Sequence, residues 1–253
     1  MSKTTNADEK PRKTPCSECP LRQLDCFRPF NKEELTFVSQ FKRGELSAEA
    51  GSTLLMEGNN SPHLYTILSG WGFRYKTLED GRRQILNFVM PGDFIGLQGS
   101  LLNEMQHTVE ALSNMELCVF ERGYFDDLYR KVPTLAFDIT WLGAREEQML
   151  DEHLLSIGRR TALERSAYLL AYLHEKASSV MLFGKSAPLA PMTQQLIADT
   201  LGLSIVHTNK TLRKLTDRKL IVRADDGYQV LDLEGLKALS KWDGLDAIER
   251  PFV

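Results

Sequence analysis

The spacing of apolar residues changes character along the chain. From Arg43 to about Arg122 it consists of short apolar runs cut by Gly51, Gly58, Gly70, Gly81, Gly92 and Gly99. The runs Leu54–Met56, Leu64–Leu68, Gly72–Lys76, Gln84–Val89 and Leu117–Phe120 read as strands, and Glu79-Asp80-Gly81 supplies a hairpin turn. Many short strands with regular turn residues predict a β-sandwich or jelly-roll barrel. From Pro133 to Lys176 the period becomes helical. Phe137, Trp141, Leu142, Met149, Leu150, Leu154, Leu155 and Ile157 form an apolar stripe among Arg145, Glu146, Glu147, Asp151 and Glu152. Such a stripe packs either on its own barrel or on a second copy of itself. Gly158 reads as a break, followed by a second helical run, Arg159–Lys176, with Leu163, Ala167, Leu170 and Leu173 inward. Ser178 to Pro191, with its glycine and prolines, reads as a linker.

The stretch Met192–Arg223 has a different pattern: helix, tight turn, helix and the start of a strand. Thr193 is an N-cap for the first helix, which carries Gln194 and the apolar residues Leu196, Ile197 and Leu201. Gly202 permits the turn. Ser204 caps a second helix whose inner face is predicted to hold Ile205, Thr208, Leu212 and Leu215. Its other face carries His207, Asn209, Lys210, Arg213 and Lys214. Leu220-Ile221-Val222, Asp226-Gly227 and Tyr228–Leu231 then read as a hairpin. A helix-turn-helix followed by a hairpin is a winged helix, and a polar, basic second helix suits the major groove of DNA. The bland alternative is a helical hairpin with a solvated charged face.

Composition narrows the field. The 253-residue chain is 42% hydrophobic and 26% charged, with a formal net charge of −3. Near-neutrality argues against a general polyanion binder; DNA contact has to come from a local patch. Lys210, Arg213, Lys214, Arg218, Lys219 and Arg223, offset by Asp217, supply one. No apolar run approaches the ~20 residues needed to span a bilayer. The polar N-terminal stretch, read as a disordered tail over residues 1–14, has no signal-peptide core, so a cytoplasmic protein is expected. Asn31 to Phe41 reads as a short helix. An enzyme is not expected: there is no phosphate loop or nucleophile elbow, and His107, Glu110, Glu152 and His153 lack ligand or catalytic spacing.

In this order, an N-terminal cysteine segment, a barrel, a long helix and a winged helix, the chain resembles the Crp/Fnr family of bacterial transcription regulators. The resemblance rests on Gly51 to Gly58, on Leu64 to Gly70 ending Leu-Ser-Gly, and on Asp80-Gly81-Arg82. It rests further on Pro91-Gly92-Asp93 with Phe94-Ile95-Gly96, and on the helix-turn-helix. It implies an α+β chain with a double-stranded β-helix (jelly-roll, cyclic-nucleotide-binding-like) barrel, a long dimerisation helix and a C-terminal winged helix. The expected divisions are 1–14, 15–42, 43–132, 133–176 and 177–253. A homodimer would pair through Trp141, Leu142, Met149, Leu150, Leu154 and Ile157. It would place two winged helices on a palindromic duplex, with RNA polymerase as a further partner.

The cyclic-nucleotide branch is similar but holds its phosphate with an Arg-Ser pair. The corresponding stretch here, Glu104–Thr108, has no arginine, and Arg82 and Arg83 read as solvated hairpin residues. The oxygen-sensing Fnr branch is similar in its cysteines, which hold a [4Fe–4S] cluster. Cys16-x2-Cys19-x6-Cys26 and the distant Cys118 are all four cysteines of this chain, and thiolate is the donor that cluster iron favours. The six-residue gap before Cys26 is one longer than the best-known spacing. Two other readings stay open: cysteines kept only as packed residues, or a zinc site. An electron carrier is disfavoured by the winged helix. In the recognition helix the family's usual glutamate is replaced by Val206. A thymine methyl for Val206, adenine for Asn209, and guanine or phosphate for Lys210 are the expected contacts.

Overall fold

The computed structural model describes residues 14–180, 192–224, 227–246 and 248–253. The expected tail at 1–13, most of the expected linker (181–191) and Asp226 of the wing turn lie outside them. The chain begins with 3₁₀ turns at Cys16–Glu18 and Pro20–Gln23, as prolines in a short loop dictate. Helix α1 (Lys32–Phe41) starts at a reciprocal cap. Asn31 Oδ1 accepts from Glu34 N at 2.9 Å, and Glu34 accepts from Asn31 N at 2.8 Å.

The barrel follows: β1 (Lys42–Ala48), β2 (Thr53–Leu55), β3 (His63–Ser69), β4 (Gly72–Thr77), β5 (Arg83–Val89), β6 (Phe94–Ile95), helix α2 (Leu97–Leu102), β7 (Thr108–Ala111) and β8 (Met115–Glu121). Two antiparallel sheets, ordered β1-β8-β3-β6 and β2-β7-β4-β5, face each other as a jelly roll. Ile67, Val89, Val109, Met115 and Leu117 fill the space between them. Strand alternation then turns Cys118 and Phe120 outward, against Val38 and Phe41 of α1. Strands β1, β6 and β7 were not expected. Strand β1 is a largely polar edge strand, and the other two are only two and four residues long, so none carries an apolar alternation of readable length.

Helices α3 (Phe125–Lys131), α4 (Pro133–Arg159) and α5 (Ala162–Ser179) come next. The break falls after Gly158, not at it. Gly158 stays helical, and Thr161 with Glu164 forms a capping box that starts α5. Glycine tolerates a helix at a modest cost, whereas a reciprocal cap defines a start. The winged helix comprises α6 (Gln194–Leu201), α7 (Ile205–Asp217), β9 (Ile221–Ala224), β10 (Gly227–Val230) and α8 (Leu233–Ser240). Helix α5, placed before the expected 176/177 division, packs on α6, α7 and α8. Among the described residues no helix is long and apolar enough to cross a membrane.

The winged helix is docked on the barrel. One apolar cluster runs from Phe73, Ile85 and Phe88 through α5 to Leu212, Leu215 and Leu236. Arg83 is not a free hairpin residue: it pairs with Asp199 of α6 at 2.9 Å and lies over the Phe73 and Tyr75 rings. Gln84 Nε2 donates to Thr200 O at 2.9 Å. Beneath α5, Asp93 is buried with Lys176 at 2.8 Å and Arg250 at 2.7 Å. The preceding Gly92 has φ 83°, and a Cβ there would lie 2.1 Å from the Phe27 ring.

Gly81 has φ 85° with open space around it, so it pays for a side chain only through its backbone angle. Gly81→Ala is therefore expected to cost about 1 kcal/mol. Gly92→Ala carries the same backbone penalty plus displacement of Phe27, and should cost about 3 kcal/mol or more. Urea unfolding of the two variants tests this; equal losses would contradict a packing role for the Gly92–Phe27 contact.

Candidate nucleic-acid interface and cysteine-bearing loop

Helix α7 is fixed at its N-terminal end. Thr193 Oγ1 accepts from Leu196 N at 3.2 Å to cap α6, Gly202 closes α6 at φ 62°, and Ser204 Oγ accepts from His207 N at 3.3 Å to cap α7. Thr208, Thr211, Leu212 and Leu215 face the core. The two threonine hydroxyls donate to Ser204 O and His207 O one turn back, so they are satisfied without solvent. Ile205 was expected inward but is 43% exposed; Thr211 takes the inner place. Helix register accounts for the difference, since Ile205 sits in the first turn beside Val206, which is 60% exposed.

His207, Asn209, Lys210, Arg213 and Lys214 are exposed along one side of α7. Gln194 is half-buried and donates to the Tyr228 hydroxyl of the wing at 3.4 Å, so it joins the two halves of the motif. Strands β9 and β10 pair Ile221 with Val230 and Arg223 with Tyr228. Arg218, Lys219 and Arg223 are exposed around the start of this hairpin. The arrangement presents an apolar tip, an amide and several cations on a rigid helix: groups able to contact a methyl, a base edge and phosphates.

On α4 the stripe divides. Leu150 and Leu154 are exposed, the latter at 71%, together with Phe137 at 68% and Leu155. Trp141, Leu142, Met149 and Ile157 are half-buried against their own chain. Met149 packs in the central cluster, where its sulfur accepts from the Tyr172 hydroxyl, and Leu142 packs near α1. The free apolar face is therefore Phe137, Leu150, Leu154 and Leu155. The stripe looked continuous in sequence because the buried and the exposed flank both carry apolar residues.

The four cysteines are free thiols. Cys16 and Cys118 share the cluster around α1, and Cys16 and Cys19 both act electrostatically on Cys118. Burial pushes the Cys118 thiol up to about 12, against the pull of Lys42, whose ammonium reaches its sulfur. Burial also raises Cys19 and Cys26. The charge acting most strongly on Cys26 is Arg250, whose backbone N donates to Cys26 O at 2.9 Å. Among the described residues no three His, Cys, Asp or Glu side chains are placed to hold a metal ion. The donor chemistry suits a four-thiolate group; Cys16 and Cys118 pack on one apolar cluster, Cys19 and Cys26 on another.

Two residues at this site carried no sequence signal. Arg28 ties the cysteine loop to α1 and α4: its Nε donates to Asp138 Oδ1 at 2.9 Å, and its terminal nitrogens bond Glu34 at 3.0 Å. Arg74 of β4 pairs with Glu146 of α4. Arg74 also bears on the barrel stretch Glu104–Thr108. Burial, with Arg74 and Lys76 adding to it, pushes the His107 imidazole down to about 3. A cation therefore does stand near that stretch, contributed by another strand, and its charge is already met by Glu146.

Arg28→Ala would leave Glu34 and Asp138, exposed by only 2% and 4%, as unpaired buried carboxylates. The expected loss is about 3 kcal/mol. Thermal or urea unfolding reads it directly; a loss within the range of an exposed ion pair would show that the loop is not anchored there.

Residues 45–132 match the cyclic nucleotide-binding domain family and residues 164–239 the Crp-like helix-turn-helix domain family. The chain is 31% identical to the nitrogen fixation regulation protein FixK of Bradyrhizobium diazoefficiens, over 89% of this chain and 93% of that protein. It is 28% identical to the transcriptional activator protein FnrL of Cereibacter sphaeroides, over 79% of this chain and 81% of that one. Among solved structures, FixK2 from Bradyrhizobium japonicum superposes with a TM-score of 0.69 at 24% identity, covering 77% of this chain and 96% of that one. The jelly roll, the long helix and the winged helix thus occur here in a relationship extending over nearly the whole chain, and the chain belongs to the Crp/Fnr family of transcription regulators.

Proposed function

We propose that this regulator acts as a cytoplasmic homodimer on a palindromic duplex, gated by oxygen or redox state through a [4Fe–4S] cluster on Cys16, Cys19, Cys26 and Cys118. The observation that carries the DNA reading is the exposed side of α7, with Val206, Asn209, Lys210 and Lys214 on a helix fixed by the Ser204 cap and a buried inner face. The exposed apolar residues Phe137, Leu150, Leu154 and Leu155 of α4 supply the dimer contact. RNA polymerase is the natural further partner of a regulator of this type.

Three things support the gating. The relative FnrL is named a transcriptional activator, and this chain carries four cysteines and no others. Thiolates are the donors that iron–sulfur clusters take. The Arg28–Asp138 contact runs directly from the cysteine loop to α4, so a change in the loop reaches the helix that carries the dimer face. Because the Cys19, Cys26 and Cys118 thiols are held protonated, cluster loading must release protons and weaken as the pH falls. A second reading, a regulator of the same family without a cluster, is favoured by the contact of Cys26 with Arg250.

Anaerobic purification with a visible spectrum and iron and sulfide assays separates the two. The cluster reading expects about four irons and four sulfides per chain, lost in air; a colourless, iron-free protein would leave only the second. The DNA reading has its own test. Asn209→Ala should relax preference at one position of each half-site, costing ~1–3 kcal/mol there. Lys214→Ala should weaken binding to all sequences and reduce the salt slope by about one. Binding-site selection that returns an unchanged preference for Asn209→Ala would remove Asn209 from the base-reading set.

A further inference from the structure

Segment 248–253 lies beyond α8 and outside both family matches. Nothing in its sequence suggests an element, yet Phe252 and Val253 are 3% and 2% exposed. The segment crosses from the winged-helix half of the chain to the cysteine loop. Arg250 N donates to Cys26 O at 2.9 Å and Arg28 N donates to Arg250 O at 3.0 Å, so Phe27 and Arg250 form a parallel β-bridge. The Phe252 ring lies 5.0 Å from Phe27 and 4.7 Å from Phe30. The Thr66 hydroxyl of the barrel donates to Val253 O.

The Arg250 guanidinium ends at a junction. It bonds Asp93 at 2.7 Å and Pro91 O at 2.8 Å and lies 4.6 Å from the centre of the Phe27 ring, next to Cys26. The cysteine loop, the Pro91-Gly92-Asp93 turn and the winged-helix side of the chain therefore meet on one side chain. Apart from the buried contacts of Lys176 with Asp93 and Phe88 O, the polar ties Arg83–Asp199 and Gln84–Thr200 between winged helix and barrel are partly exposed, and such contacts hold weakly. Segment 248–253 adds a buried, apolar attachment beside them.

We propose that residues 248–253 are an intramolecular latch that holds the winged helix docked on its own barrel, and that Arg250 makes the latch responsive to the state of Cys26. A palindromic duplex presents its two half-sites about 34 Å apart, so each recognition helix has to be set by the dimer and the DNA together. A winged helix clamped to its own barrel is held to one position. Any ligand or modification that draws Cys26 from its place breaks the Arg250 N–Cys26 O bond and disturbs the neighbouring Phe27–Arg250 contact, and so weakens the clamp. That link requires no particular ligand, so it stands whether or not a cluster is bound; only the DNA measurement rests on the regulator reading.

The test uses the full chain as wild type, Arg250→Gln, Cys26→Ala and Phe252→Ala, with folding checked by near-ultraviolet circular dichroism. The DNA probe is a duplex pool selected from random sequence on the wild-type chain. Hydrogen exchange should rise in Arg250→Gln at 26–30 and 248–253, and also at β5 and α6, while β3 and β8 stay protected. Affinity for the duplex should increase about fivefold or more, with a smaller gain on alkylation of the wild-type thiols that is lost in Cys26→Ala. Should Phe252→Ala fail to fold, Arg250→Gln decides, because its side chain is partly exposed. Exchange confined to 26–30 and 248–253 overturns the latch. Looser β5 and α6 with unchanged or weaker DNA binding overturns its inhibitory sense, and with it the proposal. If the wild type binds no duplex at all, the regulator reading fails separately, and the exchange at β5 and α6 alone decides whether the segment clamps the winged helix.

Discussion

Asp93 is the constraint on which the arrangement of the chain depends. Burial alone would push its carboxyl up, but Lys176 and Arg250 hold it below the ordinary aspartate range. Its Oδ2 also accepts from Met90 N at 2.8 Å, which fixes the turn that carries it. Lys176 arrives from α5 and Arg250 from segment 248–253. A buried charge is tolerated only with its partners in place, so the barrel, the helix leading into the winged helix and the cysteine loop are placed relative to one carboxylate. Lys176 also donates to Phe88 O at 2.9 Å, which ties the same ammonium to strand β5.

The motif Pro91-Gly92-Asp93 was visible in the sequence as a family feature; its physical content was not. Gly92 is needed because Phe27 lies against it, and Asp93 because two cations from distant parts of the chain end there. The same division runs through the rest of the molecule. Strands β3, β4, β5 and β8 and the caps at Asn31, Thr193 and Ser204 were legible, since local chemistry determines them. The docking of Arg83 on Asp199, the buried side of the α4 stripe and the Arg28 network were not, because each depends on a residue from another element, more than a hundred positions away for Arg83 and Arg28. Segment 248–253 is the extreme case: six residues without periodicity, placed entirely by tertiary contacts.

The cysteines show a related limit. Their number and the place of Cys118 on a strand were legible in the sequence; its outward turn toward α1 was not. The neighbour of Cys26 was not legible either, since Arg250 reaches it from far along the chain. Around the loop the charges are arranged in two directions. Arg28 connects it to α4, the helix with the free apolar face, and Arg250 connects it to the Asp93 junction and the winged-helix side. A signal at the loop thus has a physical path both to the face that would pair with a second copy and to the part that would meet DNA.

The most direct measurement of the central claim is a double-mutant cycle on Asp93 and Lys176, from urea unfolding of the wild type, Asp93→Asn, Lys176→Met and the double variant. If one buried carboxylate holds barrel and winged helix together, the double variant should be more stable than the sum of the single losses implies, by about 1 kcal/mol or more. Additivity within about 0.5 kcal/mol would contradict it, leaving the winged helix held by apolar packing and the remaining polar contacts such as Arg83–Asp199.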